Sequence, residues 1–248
     1  MKKLSLILSF ILAICLLCSC SDSEKADNGG DGGNKESLVG AFETVINANE
    51  YILYQNVFYN DMASDYVGKE QTKIGTFAKV YDRYNDVTRY YVWGYYDQTK
   101  CCDWQWEICP DGLSEIPAEG SKVTVKGTFT ASDKALDKYW LSGTTVSVDS
   151  EYAGKLYDVN MCFMSATLER VQLVNMQNYP DFFEGKTVSA YGRVFSLTHI
   201  QHPYYDSTWT QEFETDVTVP AIGTPVTAVG TYKSGVIADC VLEQTSAY

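Results

Sequence analysis

Three cysteines and two carboxylates fall within nine residues near the middle of the chain, between positions 101 and 109. Thiolates and carboxylates bind zinc and iron, so a metal site at Cys101, Cys102 and Asp103 is one hypothesis for this stretch. Geometry argues against it, because Cys101 and Cys109 would lie roughly 27 Å apart along a straight strand. Adjacent cysteines in a strand also point to opposite faces. A turn would be needed to bring the thiols around one ion.

Aromatic and polar residues alternate in the same stretch, which predicts a strand with two different faces. Trp104 and Trp106 would point into a core, and the residues between them would point to solvent. Together with the preceding aromatic run, the outward residues predict a ligand-binding face made of Tyr91, Trp93, Tyr95, Asp103, Gln105 and Glu107. Such a face suits a glycan or a peptide if its rings and Gln105 are exposed on one patch. The alternative is that the aromatic residues only stabilise the strands.

Disulfides are the other interpretation of the cysteines, because an exported chain permits them. Cys162 and Cys240 form the most plausible pair, near the first and last strands of the second half of the chain. Cys109 could pair with Cys101 or Cys102 across a turn, and buried thiols are the remaining alternative.

The sequence contains no recognisable catalytic motif. His199 and His202 are its only histidines, and Pro203 directly after them predicts a surface loop. A nucleophile elbow, a zinc-protease helix motif and a phosphate loop are all absent from the sequence. We therefore expect a protein that is not an enzyme and uses no cofactor.

A glycine pattern that recurs four times predicts the architecture. In each copy, a second glycine follows the first by seven positions, with mostly strand-forming residues between them. The four pairs are Gly68 and Gly75, Gly120 and Gly127, Gly185 and Gly192, and Gly223 and Gly230. Glycine in a strand marks a bulge or a place where a side chain does not fit.

The spacing of these copies predicts two homologous β units, residues 38–150 and residues 151–248. In the first unit, strands are predicted at 71–80, 88–96, 104–108, 121–129 and 139–148, and in the second at 187–197, 207–218, 224–232 and 235–244. No long amphipathic helical pattern is evident. Five short strands are typical of the OB fold, a small Greek-key barrel. We predict an all-β protein of two tandem OB-like barrels, with a β-sandwich as the alternative.

The paired Cys101 and Cys102, followed by Trp104, Trp106 and Glu107, resemble a motif of uncharacterised bacterial lipoproteins with OB-like domains. The resemblance covers about residues 60–150 and implies no known activity. The second unit has no adjacent cysteines, so the pair is not required by the fold.

The first 37 residues predict export and anchoring. Lys2 and Lys3 precede a short apolar run that ends at Cys20, which resembles the lipobox of bacterial lipoproteins. Residues 1–20 are thus predicted to be a signal peptide, with Cys20 as the lipidated residue that anchors the protein to a membrane. Residues 21–37 are polar and glycine-rich and predict a disordered tether. Its acidic start resembles the signal that directs some bacterial lipoproteins to the cell surface.

Charge limits the choice of partner. The whole chain has a net charge of -13, and without the first 20 residues it has 17 basic and 32 acidic residues, a net charge of -15. Without a basic stripe, such a chain is not expected to bind nucleic acid. We expect a non-catalytic binding or adhesion module of the cell envelope that faces outside the cytoplasm. The alternative is a metal-binding or redox-sensitive accessory lipoprotein that acts through Cys101 and Cys102.

Overall fold

A computed structural model of the protein describes residues 45–111, 113–202 and 210–245. These residues belong to one compact unit. The predicted signal peptide, the lipidated Cys20 and the tether of residues 21–37 lie outside the described residues. None of the helices in the described ranges is long and apolar enough to span a membrane.

The first five strands form a closed barrel. They are β1 (Glu70–Asp82), β2 (Val87–Tyr95), β3 (Asp103–Ile108), β4 (Lys122–Ala131) and β5 (Tyr139–Ser150). Their order around the barrel is β1-β2-β3-β5-β4, with β4 paired back to β1. Only the β3–β5 pairing among these is parallel. The prediction of an all-β protein is therefore confirmed, with a barrel in its first half.

The barrel interior follows the alternation in the sequence. Trp104 and Trp106 of β3 lie in one buried cluster with Val123 and Val125 of β4. Ile108 belongs to the same cluster. Because successive side chains of a strand point to opposite faces, Asp103, Gln105 and Glu107 lie on the outer face of the barrel.

The remaining strands form a second sheet with the same succession of pairings. They are β6 (Val159–Asn160), β7 (Thr187–Ser196), β8 (His199–Gln201), β9 (Thr210–Phe213), β10 (Pro225–Lys233) and β11 (Val236–Gln244). The order β7-β8-β9-β11-β10 returns to β7 through the β10–β7 pairing. The β9–β11 pairing is parallel, as β3–β5 is in the barrel.

The glycine pattern has a physical basis in all four copies. The first glycine of each copy has a φ between +76° and +89°, a left-handed conformation that favours glycine. A Cβ on the second glycine of each copy would lie 3.0 Å or less from another atom. In the first copy, for example, a Cβ on Gly75 would lie 2.6 Å from the Trp93 carbonyl oxygen. The expectation that side chains do not fit at these strand positions is confirmed.

Helices are the main feature that the sequence pattern did not predict. They are α1 (Ala48–Phe58), α2 (Ala166–Asn178) and the short α3 (Pro180–Phe183). Asn47 caps α1 by accepting a hydrogen bond from the Glu50 N–H (3.1 Å), and Ser165 caps α2 by accepting from the Leu168 N–H (3.2 Å). Neither helix is strongly amphipathic in sequence, so their caps were the available signal.

Candidate binding cleft

The aromatic residues of the predicted ligand-binding face are buried. Tyr91, Trp93 and Tyr95 expose 3% or less of their surface and belong to a core cluster shared with Met161 and Leu168. The Trp93 indole N–H donates to the carbonyl of Phe163 at 2.9 Å. The expectation that these rings face solvent is wrong, because apolar residues from the second half of the chain pack over them.

Gln105 is buried in the same way. Its amide nitrogen donates to the Tyr54 hydroxyl at 2.7 Å, and its amide oxygen accepts a long hydrogen bond from the Ser165 hydroxyl at 3.4 Å. Its predicted exposure is wrong, since α1 and the start of α2 both reach this side of β3. Gln105 therefore joins these elements to the barrel.

Glu107 is also buried, and it holds the loop between β4 and β5. Its two carboxylate oxygens accept hydrogen bonds from Arg89 and from the Leu136 N–H, each at 2.7 Å. Arg89 also donates to Asp82 at 2.7 Å and to the Lys134 carbonyl at 2.9 Å. Burial raises the pKa of Glu107, and the Leu136 N–H and Arg89 oppose this effect. The predicted exposure of Glu107 is wrong, and its contacts fix loop residues 132–138.

Asp103 connects the barrel to α2. It is half-buried, and its two oxygens accept from the N–H and the hydroxyl of Thr167, each at 3.0 Å. Both oxygens of Asp103 therefore contact α2. Throughout the described ranges, no three His, Cys, Asp or Glu side chains are grouped so that they could hold a metal ion.

The predicted disulfide between Cys162 and Cys240 is wrong. The thiol of Cys162 lies 3.0 Å from the Ser189 hydroxyl, and that of Cys240 lies 3.6 Å from the Val241 carbonyl. The two residues belong to different core clusters, so their side chains do not meet. Cys109 is likewise a buried thiol.

His202 differs from the surface histidine that was expected. It exposes 5% of its surface, and its Nε2 lies 3.4 Å from a carboxylate oxygen of Glu169. Burial lowers the pKa of His202 to about 4 and raises that of Glu169 well above its usual value. His199 is only half-buried, and its Nδ1 lies 2.9 Å from the Thr198 hydroxyl.

A cleft of about 720 Å³ lies beside Gln105, at one side of the barrel. It is bordered by α1, the turn that follows α1, the loop between β4 and β5, and the first turn of α2. Four aromatic residues line it: Tyr54, Phe58, Tyr59 and Tyr139. Its polar side chains include Ser64, Gln105, Asp61, Asp137 and Lys138. This volume falls within the range of small-ligand sites.

One hydrogen bond and one aromatic contact connect three of the residues that line the cleft. The Tyr54 hydroxyl accepts from the Gln105 amide at 2.7 Å, and the Tyr54 ring lies edge-on to that of Tyr59, with 6.0 Å between the ring centres. Tyr59 is 66% exposed. Burial raises the pKa of Tyr54, so its hydroxyl keeps its proton at neutral pH. The edge-on contact with Tyr54 supports the exposed Tyr59 ring at the cleft.

Two residues on the rim have left-handed backbone conformations. Asp61 has a φ of 55° and Lys138 a φ of 66°. Such conformations are uncommon outside glycine and cluster at functional sites. Both residues are exposed and line the cleft from distant parts of the sequence, one after α1 and one before β5.

A buried ion pair fixes α1 against the barrel. The Lys73 ammonium group lies 2.5 Å from a carboxylate oxygen of Glu50 and 4.0 Å from the ring centre of Trp106. The Lys73 side chain is 1% exposed and that of Glu50 is 10% exposed. Burial lowers the pKa of Lys73, and Glu50 opposes this effect. Because α1 carries Tyr54 and Phe58, this pair positions one wall of the cleft.

The residues of this cleft were missed because residues 48–65 were not predicted to be structured. The spacing of Asn47 and Glu50, which matches a helix N-cap, was the signal that could have placed an aromatic helix here. Of the predicted ligand-binding residues, only Gln105 lines the cleft.

Comparison with known proteins adds no assignment. The chain has no significant match to a family model, to a curated protein or to a solved structure.

Proposed function

We propose that this protein is a lipid-anchored, non-catalytic binding protein of the cell envelope, and that it binds a glycan in the cleft beside Gln105. Anchoring would occur through Cys20, as the sequence predicts, with residues 21–37 as the tether. The observation that carries the proposal is the cleft itself, which is lined by both aromatic rings and hydrogen-bonding side chains.

The chemistry of the cleft favours a neutral polar ligand with apolar faces. The exposed ring of Tyr59 and the half-buried ring of Tyr139 offer surfaces on which a sugar ring can stack. The Asp61 and Asp137 carboxylates can accept hydrogen bonds and the Lys138 ammonium group can donate them, which suits sugar hydroxyl groups. Two carboxylates against one ammonium group, on a strongly acidic chain, disfavour anionic ligands such as nucleic acids.

The position of the cleft also supports binding. We infer two tandem OB-like barrels, and the shared order of pairings in the two sheets supports this inference. OB folds bind oligosaccharides and oligonucleotides at strands two and three and at the loops between strands one and two and between strands four and five. Gln105 of β3 and the β4–β5 loop are the corresponding elements of the first barrel.

Binding can be tested by titrating the full-length protein with a panel of short neutral oligosaccharides. We expect at least one to bind, and Tyr59→Ala to weaken that binding about tenfold, the loss of one stacking contact of about 1.4 kcal/mol. Tyr84→Ala is the matched control, because Tyr84 is 82% exposed and does not line the cleft.

Three results would contradict the proposal. The first is equal binding by the Tyr59 and Tyr84 variants, which would place the ligand elsewhere. The second is binding of a short oligolysine peptide with no binding of any oligosaccharide, which would make the acidic rim a peptide site. The third is cleavage of the bound oligosaccharide, which would make the protein an enzyme.

A further inference from the structure

Two thiols lie side by side on an exposed turn between β2 and β3. The Sγ atoms of Cys101 and Cys102 are 3.6 Å apart. The turn is closed by a hydrogen bond from the Tyr96 N–H to the Cys102 carbonyl at 2.9 Å, beside the last β2–β3 pair, Tyr95 and Asp103. Adjacent cysteines in a regular strand would point apart, so it is the turn that brings these thiols together.

The turn is ordered by its own side chains. Asp97 accepts hydrogen bonds from the N–H and the hydroxyl of Thr99, at 2.9 and 2.5 Å. The Thr99 hydroxyl also lies 3.3 Å from the Cys101 sulfur. Lys100, directly before the pair, has a left-handed φ of 55°. These contacts order the turn in the reduced protein. Less conformational entropy is therefore lost when a disulfide forms between Cys101 and Cys102.

The two thiols differ in their access to solvent. Cys101 is exposed, whereas Cys102 is half-buried beside Tyr51 of α1. An exposed thiol can be reached by a second molecule, and a neighbouring shielded thiol can then complete the reaction. This division resembles that of an attacking and a resolving cysteine.

We propose that Cys101 and Cys102 form a reversible dithiol–disulfide site that exchanges with disulfides of small thiols or of other exported proteins. The Cys101 thiolate attacks one sulfur of the incoming disulfide, forms a mixed disulfide and releases the first thiol. The Cys102 thiol then loses its proton and attacks Cys101, which forms the Cys101–Cys102 disulfide and releases the second thiol. Two protein thiols are oxidised and one external disulfide is reduced to two thiols.

The geometry makes this disulfide easy to reduce again. The Cα atoms of adjacent residues are about 3.8 Å apart, below the roughly 4.4–6.8 Å that an unstrained disulfide requires. Strained and exposed disulfides are the more reducible ones, and they serve exchange and regulation rather than structural stabilisation. The site would therefore alternate between two states. It is independent of the proposed glycan binding.

Cys109, the third cysteine of this region, lies too far from the turn to form a disulfide with Cys101. Cys109 follows the far end of β3 and is 4% exposed. The whole extended length of β3 separates it from the turn, so its sulfur is out of reach of Cys101.

The experiment is to incubate the reduced full-length protein with oxidised glutathione, block remaining thiols with N-ethylmaleimide and map the peptides. A protease that cleaves before aspartate releases residues 97–102 with both adjacent cysteines, and residues 103–110 with Cys109 alone. We expect the first peptide to lose two hydrogen atoms, with no bound glutathione or maleimide. Excess reduced glutathione should reverse this change, and the Cys109 peptide should not take part.

Single variants test the two roles. Cys102→Ser should stop at one glutathione bound to Cys101, and Cys101→Ser should react at least about tenfold more slowly, because the remaining thiol is shielded. The proposal is overturned if both thiols of the wild-type peptide are blocked by maleimide, if glutathione stays on Cys101 of the wild type, or if a disulfide joins either thiol to Cys109. The wild-type result is decisive even if a variant folds poorly.

Discussion

Replacing Glu50 by glutamine should reveal how strongly the cleft wall depends on one buried charge. The substitution keeps the shape of the side chain and removes the counter-charge of Lys73, whose side chain is 1% exposed. Breaking a buried ion pair by removing one partner costs about 3–5 kcal/mol, because the other charge stays in the interior. The effect should therefore be far larger than that of a surface charge.

The cost has an upper limit, because Lys73 can lose its proton. Deprotonating a lysine of ordinary pKa at pH 7 costs about 4.6 kcal/mol, at about 1.36 kcal/mol for each pH unit below its pKa. The side-chain amide introduced by Glu50→Gln can still accept a hydrogen bond from Lys73. We therefore expect this substitution to lower the free energy of unfolding by about 3–4 kcal/mol at pH 7.

The pH dependence gives the sharper test. In the variant, the folded-state pKa of Lys73 falls further below its unfolded value of about 10.4. Between these two values the unfolded chain binds more protons than the folded one, so stability rises with pH. The difference in free energy of unfolding between the wild type and the variant should thus become smaller toward pH 10, by up to about 1.4 kcal/mol per pH unit.

The assay is urea unfolding of the full-length protein, followed by tryptophan fluorescence, from pH 6 to pH 10. A loss of about 3 kcal/mol lowers the urea midpoint by about 1 M or more. Glu70→Gln is the matched control, because Glu70 is an exposed glutamate at the start of β1 and should change stability by less than about 0.5 kcal/mol. The double variant Glu50→Gln with Lys73→Met should recover most of the loss, because it removes both charges.

Two outcomes would refute this reasoning: a cost of less than about 1 kcal/mol for Glu50→Gln, or a deficit that is the same at pH 6 and at pH 10. Either result would mean that water solvates Lys73 in the folded state. The double variant then would show no recovery, and α1 would be held against the barrel mainly by its aromatic contacts.

Two further predictions concern the glycine pattern and a buried carboxyl group. Gly68→Ala should lower the free energy of unfolding, measured with urea, by about 1–2 kcal/mol, and Gly68→Asn should lower it less, because asparagine tolerates a left-handed φ. At Gly75 a Cβ would meet the Trp93 carbonyl, so asparagine should be no better tolerated than alanine. Glu169→Gln should stabilise the protein more at pH 7 than at pH 5. Burial raises the pKa of Glu169, so the wild type loses stability as pH rises above about 4.3, the usual pKa of a glutamate in an unfolded chain, while His202 stays neutral. A stability difference between variant and wild type that does not change with pH would refute the second prediction.

Local sequence was enough for the strands and their glycines. The left-handed φ at Gly68 and at Gly120 and the alternation of Val123 and Val125 are properties of a few consecutive residues. Such features can be recognised directly in the sequence. They predicted the all-β class and a repeated pattern in the two halves of the chain.

Exposure of the outer barrel face could not be read from the same pattern. Trp93 is covered by Phe163, 70 residues away, and Gln105 contacts Ser165, 60 residues away. Alternation tells which residues share a face, but it does not tell whether another part of the chain covers that face. The ligand-binding face was therefore placed on the correct strands and given the wrong environment.

The sequence by itself determined the strand pattern, the glycine positions and the adjacent thiols of Cys101 and Cys102. Only the tertiary structure decided that Glu107 supports a loop, that α1 lies beside β3, and that a cleft opens between them. The physical reason is the sequence separation of the interactions. Backbone conformation is set by neighbouring residues, whereas burial and the shape of a cleft depend on packing between residues that are far apart in the sequence.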